Sequence, residues 1–322
     1  MISNKSYLEN ILYTNYLTSD QNISSIEYTS GHEINSKNLR INLKDGKDFY
    51  LKIINEFDED YIKKIEIMNE CYKDGIKVPK IIKNKERKLV TFKKNKLFLL
   101  TECCIGKKFS LNSKEILSSG ENLAILNKKL AKYNLVFERK SLYDDLSQNE
   151  IDKIKDIIYS KGFTDIKIRN LMDILPELYL DINNNIKPYI KKKQLVHIDF
   201  HPQNVLFKEN QISVILDFDS IVTSFELQSV AFACERFSKN IKDFETFLKG
   251  YQKYGQEFSL SEVKILPYFF GKEAISRINY IIKKQFFFKD KTWSFELDKH
   301  LKILKRMEHL KNELNNINFI SA

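Results

Sequence analysis

Apolar and polar positions along this chain follow two periodicities in turn, and the dominant one changes near residue 105. Leu8, Ile11, Leu12 and Tyr16 recur at helical spacing and predict a short leading helix. Segments with strand character follow at Ile23 to Tyr28, Leu39 to Leu43 and Phe49 to Ile54, and the last two flank Asp45-Gly46, a hairpin turn signal. Tyr61, Ile65, Met68 and Tyr72 return to helical spacing over Asp58 to Lys73, with Gly75 and Pro79 marking the end. Lys88 to Phe92 and Leu97 to Glu102 read as two more strands, so this segment predicts an antiparallel sheet with one helix packed on it.

Beyond the polar run Ile105-Gly106-Lys107-Lys108 the spacing is mainly helical, at about 112 to 134, 148 to 160, 166 to 189, 225 to 237, 241 to 253 and, with breaks, 260 to 315. Short strands at Leu195 to Ile198, Val205 to Phe207 and Ser213 to Phe218 interrupt it, the last two joined by a turn at Lys208-Glu209-Asn210. The pattern predicts an α+β fold of two lobes, residues 1–104 carrying the small sheet and its helix, and residues 105–322 forming a larger, mainly helical lobe.

Composition adds limits. At 43% hydrophobic and 30% charged residues, the chain is globular in character. The balance of 53 basic against 43 acidic residues gives +10, but the lysines are interspersed with acids and no arginine stripe accompanies them, so a nucleic-acid partner is not expected. The cysteines Cys71, Cys103, Cys104 and Cys234 lack zinc-site spacing and read as free thiols. No apolar run is long enough to span a membrane and the first residues lack a signal-peptide core, so a cytoplasmic location is expected. The oligomeric state is left open.

The candidate chemistry lies between His197 and Asp219. His197-Ile-Asp199-Phe-His201-Pro-Gln-Asn204 contains H-x-D-x-x-x-x-N, and Asp217-Phe-Asp219 follows on an apolar strand. Phosphoryl transfer needs a carboxylate for the proton of the attacking hydroxyl and hard oxygen ligands for magnesium on the nucleotide phosphates. Asp199 fits the first need, Asn204 and Asp217 the second, with His197 bracing the loop. The alternative is an acidic turn beside a hydrogen-bonded histidine.

The same chemistry requires a strand lysine and a helical glutamate to position it. Lys52 alternates with Leu51 and Ile53 on its strand, and Glu66 lies fourteen residues on in the next helix, with Glu70 as competitor. Solvated surface charges are the plain alternative for all three. A phosphate-cradling loop is placed by position at Thr29-Ser30-Gly31-His32, where an ordinary turn is the competing reading and no glycine-rich fingerprint occurs.

These residues resemble the aminoglycoside phosphotransferase and choline kinase superfamily, whose H-G-D-x-H-P-x-N motif and following I-D-F/W-D/E are similar to His197–Asn204 and Leu216–Asp219. The likeness extends to Lys52 on its strand, to Gly75-Ile-Lys-Val-Pro79, and to Leu99–Gly106 as a hinge between lobes. It departs at Ile198, where the family carries glycine, and at Glu226, where Asp-Leu-Ala is usual. The resemblance implies a protein-kinase-like fold, and ATP or GTP whose base meets backbone groups of Glu102 and Cys104. It implies transfer of the γ-phosphate to a hydroxyl of an aminoglycoside, an amino alcohol such as choline, homoserine or a sugar.

No A-P-E follows Asp219, and a helix near Phe225 takes the place of an activation segment, which separates the chain from protein kinases. A catalytically silent, spore-coat type relative is the competing class. The acceptor pocket is expected around Asp217, Asp219, Glu226 and the stretch Tyr268–Trp293, whose aromatic residues read equally as helix packing.

Overall fold

The computed structural model describes residues 5–29, 36–138, 148–160, 166–190, 192–288 and 293–316. The architecture is two-lobed, and Cα proximity divides the chain into two compact units, Met1–Ser110 with Pro202–Ser220, and Leu111–His201 with Ile221–Ala322.

The first unit opens with helix α1 (Lys5–Asn15), followed by strands β1 (Ile23–Thr29), β2 (Ser36–Leu43) and β3 (Asp48–Ile54), helix α2 (Glu59–Lys73), and strands β4 (Thr91–Lys93) and β5 (Lys96–Glu102). The sheet is antiparallel throughout, in the order β1-β2-β3-β5-β4. Opposed residues share a face, so Leu39, Leu51 and Leu100 align, as do Ile53 and Phe98. That face packs against Leu8, Ile11 and Leu12 of the leading helix α1. Alternation then turns Lys52 to the opposite face. Asp58 caps α2 by accepting from the Tyr61 amide at 2.9 Å.

Strand β4 is shorter than the expected Lys88–Phe92. The Asn84 side chain accepts from the amides of Glu86 and Lys88 and donates to the Val90 carbonyl, so these backbone groups are engaged before the strand begins at Thr91.

The second unit holds α3 (Ser113–Leu130), α4 (Gln148–Ser160), α5 (Ile166–Ile186) and β6 (Lys193–His197). Two further strands, β7 (Val205–Lys208) and β8 (Gln211–Ile215), form a hairpin within the first unit. The chain then completes the second unit with β9 (Ile221–Phe225), α6 (Glu226–Phe237), α7 (Ile241–Gln252), α8 (Leu260–Phe288) and α9 (Trp293–Asn316). Strand β9 is new relative to the sequence reading; it pairs antiparallel with β6, setting His197 opposite Ile221.

Helices α3 and α7 cross at two glycines. A Cβ on Gly120 would stand 2.1 Å from the Phe247 carbonyl oxygen, and one on Gly250 would stand 2.2 Å from that of Leu117, so the backbones touch where side chains would normally keep them apart. Tyr268, Phe269 and Phe270 are buried in α8 and serve packing. Among the described residues no helix is long and apolar enough to cross a membrane.

Candidate active site

The β7–β8 hairpin brings Asn204 and Asp217 together. Glu209 and Asn210, at φ 53° and 63°, make the two-residue turn whose twist suits paired strands. At the open end Val205 pairs with Ile215, and the Leu216 amide donates to the Asn204 carbonyl at 2.7 Å, which sets Asp217 one residue beyond Asn204's partner. Two ties fix the hairpin within its unit: Lys107 and Phe207 exchange backbone bonds of 2.7 and 2.8 Å, and the Ile215 amide donates to the Lys77 carbonyl at 2.6 Å.

Asp217 has φ +60°, a left-handed conformation that costs most residues about 1–2 kcal/mol and that aspartate tolerates better than most. Ser220 stabilises the bend, donating its hydroxyl to Asp217 Oδ2 at 3.1 Å and its amide to the Asp217 carbonyl at 3.2 Å. Strained carboxylates of this kind concentrate at functional sites.

Two lysines reach this bend. Lys52 donates from β3 to Asp219 Oδ2 and lies 4.0 Å from Asp217 Oδ1. Lys64 donates from α2 to the Asp219 carbonyl at 2.8 Å. Burial pushes the Lys64 pKa down, against the upward pull of Asp219, Asp58, Asp60 and Asp217. Glu66 and Glu70 are exposed on the same helix, and Asp219 and Asp217 are carboxylates that stand against Lys52. Neither the Lys52–Asp219 contact nor the part of Lys64 was read from the sequence. The pattern that could have hinted at Lys64 is its separation of three or four residues from the buried positions Ile67 and Met68.

At the end of β5, Glu102 pairs through its side chain with Lys80 and donates its amide to the Lys80 carbonyl at 2.9 Å. The Cys103 amide donates to the Asp48 carbonyl at 3.0 Å, and Cys104 is half-buried. Burial, with Cys103 and Glu102 adding to it, pushes the Cys104 thiol up to about 11. Ser30 and Gly31, expected to cradle phosphate, lie outside the described residues.

In the second unit, β6 ends at buried His197, whose ring meets Phe200 edge-on at 6.0 Å and whose carbonyl accepts from Ser229 Oγ at 2.9 Å. Ile198, in the place of the family's glycine, packs against Val196, Val222 and Phe232. Asp199 follows, with Oδ2 3.3 Å from His201 Nε2. Burial raises the Asp199 pKa, but the hydrogen bond and charge of His201, with Arg236 and His197 farther off, outweigh it and bring it to about 2. Glu226, also weighed for the acceptor side, accepts from Tyr251 and lies 3.4 Å from Gln194 Nε2.

No group of three His, Cys, Asp or Glu side chains suited to a metal occurs among the described residues. Magnesium needs less, because it keeps waters and phosphate oxygens and takes one or two protein oxygens. The amide of Asn204 and the carboxylate of Asp217 are hard donors from adjoining positions at one hairpin end, and they fit that demand.

No curated protein sequence matches the chain. Among solved structures it is similar to a spectinomycin phosphotransferase in complex with ADP and spectinomycin, at 16% identity and TM-score 0.69, covering 97% of this chain and 98% of that one. An amicoumacin kinase in complex with AMP-PNP and Ca2+ matches at 14% identity and TM-score 0.66, covering 96% and 97%. A choline kinase from Cryptosporidium parvum matches at 15% identity and TM-score 0.59, covering 97% and all of that chain. Identities this low speak to the fold. The family model described as "Phosphotransferase enzyme family" matches residues 29–265, spanning β2 through β9 and the motif from His197 to Asp219, and the chain therefore belongs to the phosphotransferase enzyme family.

Proposed function

We propose that in this ATP-dependent phosphotransferase Asp199 orients the hydroxyl of a small-molecule acceptor and takes its proton, Lys52 binds the nucleotide phosphates, and Asn204 with Asp217 holds magnesium. The observation that carries this reading is the convergence of Lys52 on the Asp217–Asp219 bend at the hairpin end that also holds Asn204.

A carboxylate with a pKa of about 2 is a weak base, so Asp199 does not strip the alcohol in the resting complex. Phosphoryl transfer passes through a loose transition state that asks little of a base until the new O–P bond forms, at which point the alcohol proton becomes acidic and passes to Asp199. Because its folded pKa lies below the ordinary 3.8, Asp199 is ionised throughout the neutral range. It contributes stability that is present above pH 3.8 and is lost as pH falls toward 2.

Lys52, already set against the two carboxylates, neutralises phosphate charge from the strand side. Magnesium, when bound, supplies further charge compensation on the phosphates. The carbonyl of Glu102 and the amide of Cys104 are the groups we assign to the adenine or guanine ring.

Asp199→Ala tests the assignment. Acceptor phosphorylation is expected to fall about 1000-fold or more, while Mg-ATP still raises the melting temperature as in the parent. Turnover at the parent rate would remove Asp199 from the mechanism.

A further inference from the structure

The end of β6 and the last turn of α6 are locked side by side. Phe200 and Phe237, both buried, meet with ring centroids 5.6 Å apart, and Ser229 on the same helix holds the His197 carbonyl at 2.9 Å. Asp199 and Arg236 are the residues immediately before those two rings, and the Arg236 charge is felt at the Asp199 carboxyl.

Arg236 belongs to a cluster in which two guanidiniums share one glutamate. Glu235 is buried between two guanidiniums, with Arg236 Nε 3.0 Å from Oε2 and Arg306 Nη1 3.2 Å from Oε1. Arg306 is the anchored member, since it also donates to the carbonyls of Glu235 and Ser238. Arg236 meets the carboxylate through Nε, and its side chain is 35% exposed. A guanidinium has five N–H donors in a planar fork, and the pairing with Glu235 engages the Nε donor, leaving the four Nη protons outside that pair.

Two helices pack beside this group. On α8, Arg277 Nε pairs with Glu273 Oε1 at 3.0 Å, which cancels the charge of both. On α9, burial and the charges of Arg277, Lys299 and Arg236 outweigh the opposing pull of Glu273 and bring the pKa of His300 down to about 4, which leaves it neutral at pH 7. At the Arg236 guanidinium itself a cationic group of the acceptor would meet like charge, whereas a carboxylate or phosphate would meet a fork that can bind it through two parallel hydrogen bonds.

We propose that the acceptor carries an anionic group, a carboxylate or a phosphate, beside its reactive hydroxyl, and that Arg236 binds that group. The inference rests on the reading of Asp199 as the residue that meets the hydroxyl.

Matched acceptors differing only in the anion test it with the full-length protein and Mg-ATP, reading ADP release and acceptor phosphorylation. L-serine is set against ethanolamine, L-homoserine against 3-amino-1-propanol, and glycerate against ethylene glycol for the carboxylate. Glycerol 3-phosphate is set against glycerol for the phosphate, and kanamycin and choline supply cationic acceptors. The anionic member of at least one pair is expected to exceed its partner in kcat/KM by about 10- to 100-fold. In Arg236→Gln that preference collapses, with the loss falling on KM more than on kcat. Arg236→Lys, which keeps a cation beside Glu235 where the glutamine variant fails to fold, is expected to retain an intermediate preference.

Phosphorylation confined to cationic or uncharged members overturns the proposal, as does a loss in Arg236→Gln that is equal across both members of a pair. A panel with no phosphorylated acceptor also overturns it. In that case a melting temperature still raised by Mg-ATP leaves the nucleotide-binding reading standing, and one unmoved by Mg-ATP removes both.

Discussion

In the proposed mechanism Asp217 carries a structural and a chemical demand at once. Its φ of +60° suits aspartate or asparagine and penalises alanine, whereas magnesium calls for a charged oxygen. The two demands separate by mutation. Asp217→Asn is expected to melt near the parent temperature yet to lose most of the shift produced by Mg-ATP. Asp217→Ala is expected to lose that shift and also about 1–2 kcal/mol of stability. Equal melting of the two variants without ligand would show that the bend is unstrained.

Which residues were legible follows from how local their signals are. That Asn204 and Asp217 come to one hairpin end could be read because two short strands and one turn set it, so few spacings had to come out right. The contact of Lys52 with Asp219 could not be. The chain brings up Asp219 from 167 residues away, and in a helix rich in charge nothing in the spacing ranks Glu66, Glu70 or Lys64. Arg236 was hidden in the same way, since its relation to Asp199 runs through the packing of Phe200 on Phe237.

At the scale of elements, strands β2, β3 and β5 were legible from alternation and the Asp45-Gly46 turn, with Gly46 at φ 84°. Strand β9 was not. It runs straight into α6, and its partner β6 lies on the far side of the β7–β8 hairpin in sequence, so no local turn announces the pairing. The crossing of α3 and α7 was equally silent, because a glycine within a helical pattern reads first as a weak position, and only the fold shows that backbone occupies the space. Gly250→Ala gains helix propensity of about 1 kcal/mol but places a methyl 2.2 Å from the Leu117 carbonyl, which is closer than any repacking of side chains can relieve. The clash wins. A loss of about 1–3 kcal/mol and a melting temperature lower by several degrees are expected. A melting temperature at or above that of the parent would mean the helices separate freely.

On the scale of the whole molecule, the order of residues along the chain differs from the order in which the compact units are filled. The polypeptide passes between units at Ser110–Leu111, at His201–Pro202 and at Ser220–Ile221, so Asp199 belongs to one unit and Asn204, Asp217 and Asp219 to the other. A fragment ending at residue 110 would lack the β7–β8 hairpin that Lys77 and Lys107 hold by backbone bonds. Such a fragment is expected to exchange its β3 and β5 amides with solvent far faster than the full chain does. Adding residues 202–220 through a flexible linker is expected to restore protection, and equal protection without them would show the sheet to be self-sufficient.

The same hairpin also sets an order on biosynthesis. The first lobe to leave the ribosome lacks its own last two strands until Ser220 has been made, while α3, α4, α5 and β6 of the other unit emerge in between. Through that interval the lysines of β3 and α2 wait without the aspartates they meet in the finished protein. The strained bend at Asp217 thus comes late, and the site proposed for the nucleotide phosphates is completed only after more than half of the chain has been synthesised.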